Sequence, residues 1–108
     1  MIVSYETPAL QQACFSLEVA EAEYGAVHAQ ALIALIADIE AFENVAELAD
    51  FWGDELLVTI DDSLSLPIGA HYRASLAAVG TRYRRDAGGR VVLSSVTRLK
   101  LLAITGCQ

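Results

Sequence analysis

From Pro8 to Gly53 the chain keeps a helical period, and after Gly53 it loses it. That switch restricts the fold more than any other feature. From about Ala26 to Phe42, the side chains His28, Leu32, Leu35, Ile36, Ile39 and Phe42 fall on one side of a helix. So wide an apolar stripe needs a surface to cover it. Before it, Leu10, Cys14, Leu17, Ala20 and Tyr24 recur at spacings of three and four in a helix that starts at Pro8 and ends at Gly25. Thr7 suits its N-cap and Pro8 its first turn. Two helices joined at one glycine predict an antiparallel hairpin. Asn44 then caps a short third helix, "VAELADFW", which stops at Gly53, with Phe51 and Trp52 expected to fold down on the helix–sheet junction.

The remaining segments read as strands. "MIVSY" is β-branched and aromatic and is stopped at Thr7 and Pro8. After Gly53 come "ELLVTID", then "LSLPIGAHYRASLAAV", in which Pro67 and Gly69 mark a bulge or an edge. Last comes "GRVVLSSVTRLKLLAIT". Alternation along it puts Val96, Arg98, Lys100, Leu102 and Ile104 on one face and Thr97, Leu99, Leu101 and Ala103 on the other. The order is one strand, two or three helices, then three strands. A chain of 108 residues is expected to form a single α+β domain over its whole length.

At 55% hydrophobic and 19% charged, the composition excludes a disordered chain. The longest uncharged run, Tyr24 to Ala37, is 14 residues, and a membrane span needs about 20. "MIVSYETPAL" has no basic n-region, so neither a secretory signal nor export is expected, and a cytoplasmic setting is. Cys14 and Cys107 form no CxxC pair, and with two distant histidines they make a poor zinc set. Both are expected to be reduced thiols.

Charge is divided along the chain. Residues 1–50 carry nine acids and no Lys or Arg, whereas residues 51–108 carry a net +2, for an overall −7. A molecule with two electrostatic faces follows. Four of the seven basic residues crowd into "RYRRDAGGR", residues 82–90. Asp86, Ala87, Gly88 and Gly89 are turn chemistry, so this stretch is expected at the tip of a hairpin between the last two strands. Such a tip can meet nucleic acid, meet an acidic partner, or simply keep a turn wet. Glu40, Glu43 and Glu47 form a column on one helix face, which reads as a solvated face ahead of a metal site.

Four features occur together in order: the opening "MIVSYETPAL", "AEAEYG" ahead of "ALIALIADIEAFENVAEL", a strand carrying "HYR", and "VTRLKLLAI" near the close. In this arrangement the chain resembles the HigB-type killer proteins of plasmid-maintenance systems, within the RelE/ParE toxin superfamily. The resemblance covers nearly the whole chain. It implies a helical hairpin packed on a mainly antiparallel, twisted sheet of about four strands, in the order β-α-α-β-β-β. It also implies the toxin of a toxin–antitoxin pair, a metal-free and cofactor-free endoribonuclease that cuts mRNA on the bacterial ribosome. Its partner would be a cognate antitoxin, often of helix-turn-helix type.

Metal-free RNA cleavage needs a base for the 2′-OH proton, an acid for the leaving oxygen, and cations for the phosphorane charge. Arg73 matches the family's "YR" arginine, and its guanidinium fork suits a phosphate. Its other reading is a surface arginine on a strand. His71 titrates near neutrality and alternates with Arg73, so the two are expected to point the same way as the catalytic pair; a partly buried strand histidine is the alternative. Arg98 and Lys100 would extend the positive surface, with Arg82, Arg84 and Arg85 in the basic tip as further RNA contacts. Charges that keep an edge strand soluble are the competing account of Arg98 and Lys100. His28, on the apolar stripe, reads as a core or boundary residue.

Two departures from the family favour a different function. Its members often carry Tyr or His shortly after the last strand, where "AITGCQ" has neither, and they are usually basic. A catalytically degenerate relative that keeps the scaffold and binds a protein partner is therefore the rival reading. Inhibition of a DNA topoisomerase, as in the ParE branch, is a third.

Overall fold

The computed structural model describes residues 1–59, 63–80 and 83–106. Its architecture is α+β, with helices packed on one face of a mixed sheet. The strands are β1 (Ile2–Tyr5), β2 (Leu57–Val58), β3 (Leu64–Ile68), β4 (Tyr72–Ala78) and β5 (Arg98–Gly106). They lie in the order β1-β5-β4-β3-β2, with β1 parallel to β5 and the other neighbours antiparallel. The described residues thus form five strands where about four were expected. The two-residue β2, which pairs Leu57 with Ser65 and Val58 with Leu64, is the shortest of them.

The helices are α1 (Pro8–Phe15), α2 (Leu17–Tyr24), α3 (Ala26–Ala41) and α4 (Val45–Trp52). Thr7 caps α1 through its hydroxyl, which accepts from the Leu10 N–H at 3.2 Å. The expected single helix from Pro8 to Gly25 is in fact two. Ser16 adopts an extended conformation, φ −131° and ψ 115°, and its hydroxyl accepts from the Val19 N–H at 3.4 Å. A serine that caps better than it propagates a helix breaks the run there. Gly25, at φ +84°, ends α2 and starts α3, and the two helices pack against each other. Asn44 Oδ1 caps α4 by accepting from Glu47 N, and Glu47 Oε1 accepts in return from Glu43 N. This is a variant of the capping box, displaced by one residue.

The α3 stripe buries Ala29, Leu32, Leu35, Ile36 and Ile39, with His28 and Phe42 half-buried at its ends. Opposite them the sheet contributes Leu64, Leu66, Ile68, Ala74, Leu76, Leu99 and Leu101. Each fully buried Leu or Ile stabilises the fold by about 1.5–3 kcal/mol before cavity effects.

The strict alternation expected along the last strand fails at one point. Ser75 pairs with Ala103 but Leu76 pairs with Leu101, so Leu102 is an extra residue in a β-bulge. Beyond the bulge the parity reverses, and Ile104 turns from the Lys100 face to pack on the core opposite Ala74. Residues 90–97 do not continue the strand; they hold one isolated bridge and a 3₁₀ turn at Leu93–Ser95. Pro67 sits in β3 opposite Arg73, past the end of the β2 pairing, so it costs the sheet no ladder bond on that side. Gly69 belongs to the turn that joins β3 to β4, and the long strand-like segment is therefore a hairpin.

Candidate functional site

Register assigns the helix-free face of the sheet. Residues paired beside buried Leu76 and Leu66 face the helices, and their neighbours face away. Arg73, Ser75 and Ala77 of β4, Ser65 and Pro67 of β3, Arg98 and Lys100 of β5, and Ile2 and Ser4 of β1 share that outer face. The expected cations of β4 and β5 do lie on one side of the sheet.

They do not converge. Arg73 is opposite Thr105, whereas Lys100 is opposite Ala77. Four residues of strand separate the two positions by about 13 Å. Arg98 lies two residues further along. The Arg73 side chain also turns away from β5. Its Nε donates to Ser65 Oγ at 2.7 Å, and its Nη2 donates to the carbonyls of Ser65 at 3.0 Å and Glu55 at 3.2 Å. The Nε–Nη2 edge that would grip a phosphate side-on is filled by the protein. Lys100 Nζ lies 3.3 Å from Glu6 Oε2, in a pair that is open to solvent on both sides. Arg98 is exposed.

His71 overturns the expected catalytic pair. It is not a strand residue alternating with Arg73 but part of the β3–β4 turn. Its ring packs toward the helices, 5.3 Å from the ring of His28. Arg73 and His71 therefore stand on opposite sides of the sheet. The cause is Gly69, which at φ +61° turns the chain so closely under His28 that a Cβ there would sit 2.8 Å from His28 Cδ2.

The basic stretch lies, as expected, in the connection between the antiparallel neighbours β4 and β5, where it forms a small turn of its own. Arg85 bridges Val91, and Asp86 Oδ1 accepts from Gly88 N and Arg90 N. Arg85 Nη1 donates to Gly89 O at 3.0 Å, so that arginine closes its own turn. Arg84, Arg85 and Arg90 are exposed, while the stem at Val91, Leu93 and Val96 packs beside Val45 of α4 on the helix side. Arg82 lies outside the described residues.

The structure gathers a second group that the sequence left scattered. Tyr24 meets Tyr72 edge to face at 5.1 Å, and Tyr72 meets His28 in the same way at 5.0 Å. His71 completes the row. Tyr24 has its phenol pKa raised, first by burial and then by the charges of Glu23, Cys14 and Tyr72. The row holds acid–base groups but no lysine or arginine, so the proton-transfer and charge-neutralising functions of a ribonuclease stand apart here. The signal that could have found it is Gly69 two residues before His71, read as a turn, with Tyr24 beside Gly25. Among the described residues no three His, Cys, Asp or Glu side chains are placed to hold a metal ion. No helix among them is long and apolar enough to cross a membrane. The chain matches no protein-family model, no curated protein and no solved structure.

Proposed function

We propose that the chain is a HigB/RelE-type scaffold that acts by binding a protein partner and does not cut RNA. The observation that carries this reading is the engagement of Arg73 with Ser65 and Glu55. A residue that must grip a scissile phosphate needs its guanidinium edge free, and here it braces β4 against β3. The acidity of the chain argues the same way. At net −7 it would be repelled by ribosomal RNA over most of its surface. The proposed partner is an antitoxin-like protein encoded beside it, and a cytoplasmic setting fits the free, buried thiol of Cys14.

The test pairs the purified chain with the product of the adjacent reading frame in isothermal titration calorimetry, beside induction of the chain alone in a bacterial host. The reading expects a stoichiometric complex and unimpaired growth. Growth arrest with gyrase inhibition would move the assignment to the topoisomerase branch, and absence of any complex would remove the binding role.

A further inference from the structure

α4 does not fold both of its C-terminal aromatics onto the sheet as the sequence suggested. Trp52 packs against the core, but Phe51 is 62% exposed. The Phe51 ring is held between two neighbours, 5.4 Å from Phe42 and 5.8 Å from Trp52, at 89° to the latter. The result is a fixed aromatic ledge standing in water. Helical spacing places Glu47 one turn before Phe51 on the same face, and the sequence neighbours Asp50 and Asp54, the latter past the helix end at Gly53, are exposed as well. Among the described residues none of these three carboxylates is in an ion pair, and no Lys or Arg precedes Arg73 in the sequence.

We propose that this ledge, Phe51 backed by Phe42 and Trp52 and rimmed by Glu47, Asp50 and Asp54, docks a basic amphipathic segment of a partner protein. The proposal rests on the partner-binding reading above and names the surface and the chemistry of the partner. Exposed aromatics held by their neighbours are the usual anchors of an interface, because little side-chain freedom remains to be lost. These carboxylates, with no cation paired to them among the described residues, select the occupant. An acidic or neutral helix would bring no charge to match them, whereas arginine or lysine can pair with the rim and lie over the Phe51 ring. An apolar side chain one turn away on the same segment would cover the ring itself.

The test uses a short amphipathic peptide of leucine, lysine and arginine, and a control in which glutamate replaces the basic residues. Trp52 is the one tryptophan of the chain, so its emission reports occupancy of the ledge directly. The basic peptide is expected to bind the full chain and the acidic control is not. Phe51→Ser, which leaves the charge unchanged, should weaken binding about tenfold or more. Asp50→Asn with Asp54→Asn should weaken it most at low salt, and Glu18→Gln on α2 should leave it unchanged. Equal binding to Phe51→Ser overturns the proposal, because it means diffuse charge attraction alone; so does failure of the peptide to bind. If the adjacent-frame product binds wild type and Phe51→Ser alike, the ledge assignment fails and partner binding stands. If that product does not bind while the peptide shows the full pattern, the partner-binding reading fails and the ledge stands.

Discussion

Arg73 and Ser65 are diagonal neighbours across β4 and β3, and two hydrogen bonds from one guanidinium close onto that single serine. A third reaches Glu55 at the start of the segment leading into β2. The arginine therefore ties the 3₁₀ turn at Gly53–Glu55, just before the short outer strand, to the centre of the sheet. Arg73→Ala should cost about 1–3 kcal/mol in urea unfolding, because half-buried acceptors lose a charged donor. Arg73→Lys should recover only part of it, since an ammonium does not reproduce the fork. An arginine kept free for a phosphate would cost within about 0.5 kcal/mol on truncation.

Gly69 and His28 make a second constrained pair. Gly69→Ala meets two penalties, the left-handed φ of +61° and the imidazole 2.8 Å from the new Cβ. The backbone part is worth about 1–2 kcal/mol. In a His28→Ala background the steric part disappears, so the double-mutant cycle should give a favourable coupling. Additive losses would show that His28 does not press on the turn, and would remove the basis for placing His71 beside it.

Alkaline pH should destabilise the protein through two acids, the buried Cys14 and the half-buried Tyr5. Burial first, and then the Glu40 carboxylate, raises the Cys14 thiol from 9.0 to about 11. Burial, with the charges of Cys14 and Glu40, raises the Tyr5 phenol from 10.0 to about 12. Both groups have folded values above their unfolded ones, so the fold binds protons more tightly than the unfolded chain. Their contribution is whole below pH 9 and falls as pH rises through 11 and 12. Denaturant midpoints should therefore decline across that window, and Cys14→Ala should flatten the earlier part of the decline. At neutral pH, in a Cys107→Ser background, Cys14 should react with a thiol reagent only on unfolding.

Much of this architecture was legible because the signals were local. The Asn44 cap, the α3 stripe and the Gly25 and Gly53 stops each act within a few residues, and each stands where the pattern put it. What stayed hidden depended on contacts far apart in sequence. Ser16 is a partial exception, because its cap onto Val19 N is local but the apolar period runs straight through it. The bulge at Leu102 has no residue signature and arises only when β4 pairs with β5. Simple alternation puts His71 in a strand only by running through Gly69 and Ala70, which form a turn. The site suffered most, since a guanidinium's direction is set by Ser65 and Glu55, residues with no sequence relation to it.

Mapping of mRNA 5′ ends after induction tests the central claim most directly, with wild type, Arg73→Ala and Arg73→Lys compared at equal folded protein. The structural role of Arg73 predicts no new breaks with any of the three, and a loss of stability in the two variants. New breaks with the wild type that vanish in a folded Arg73→Ala protein would contradict it.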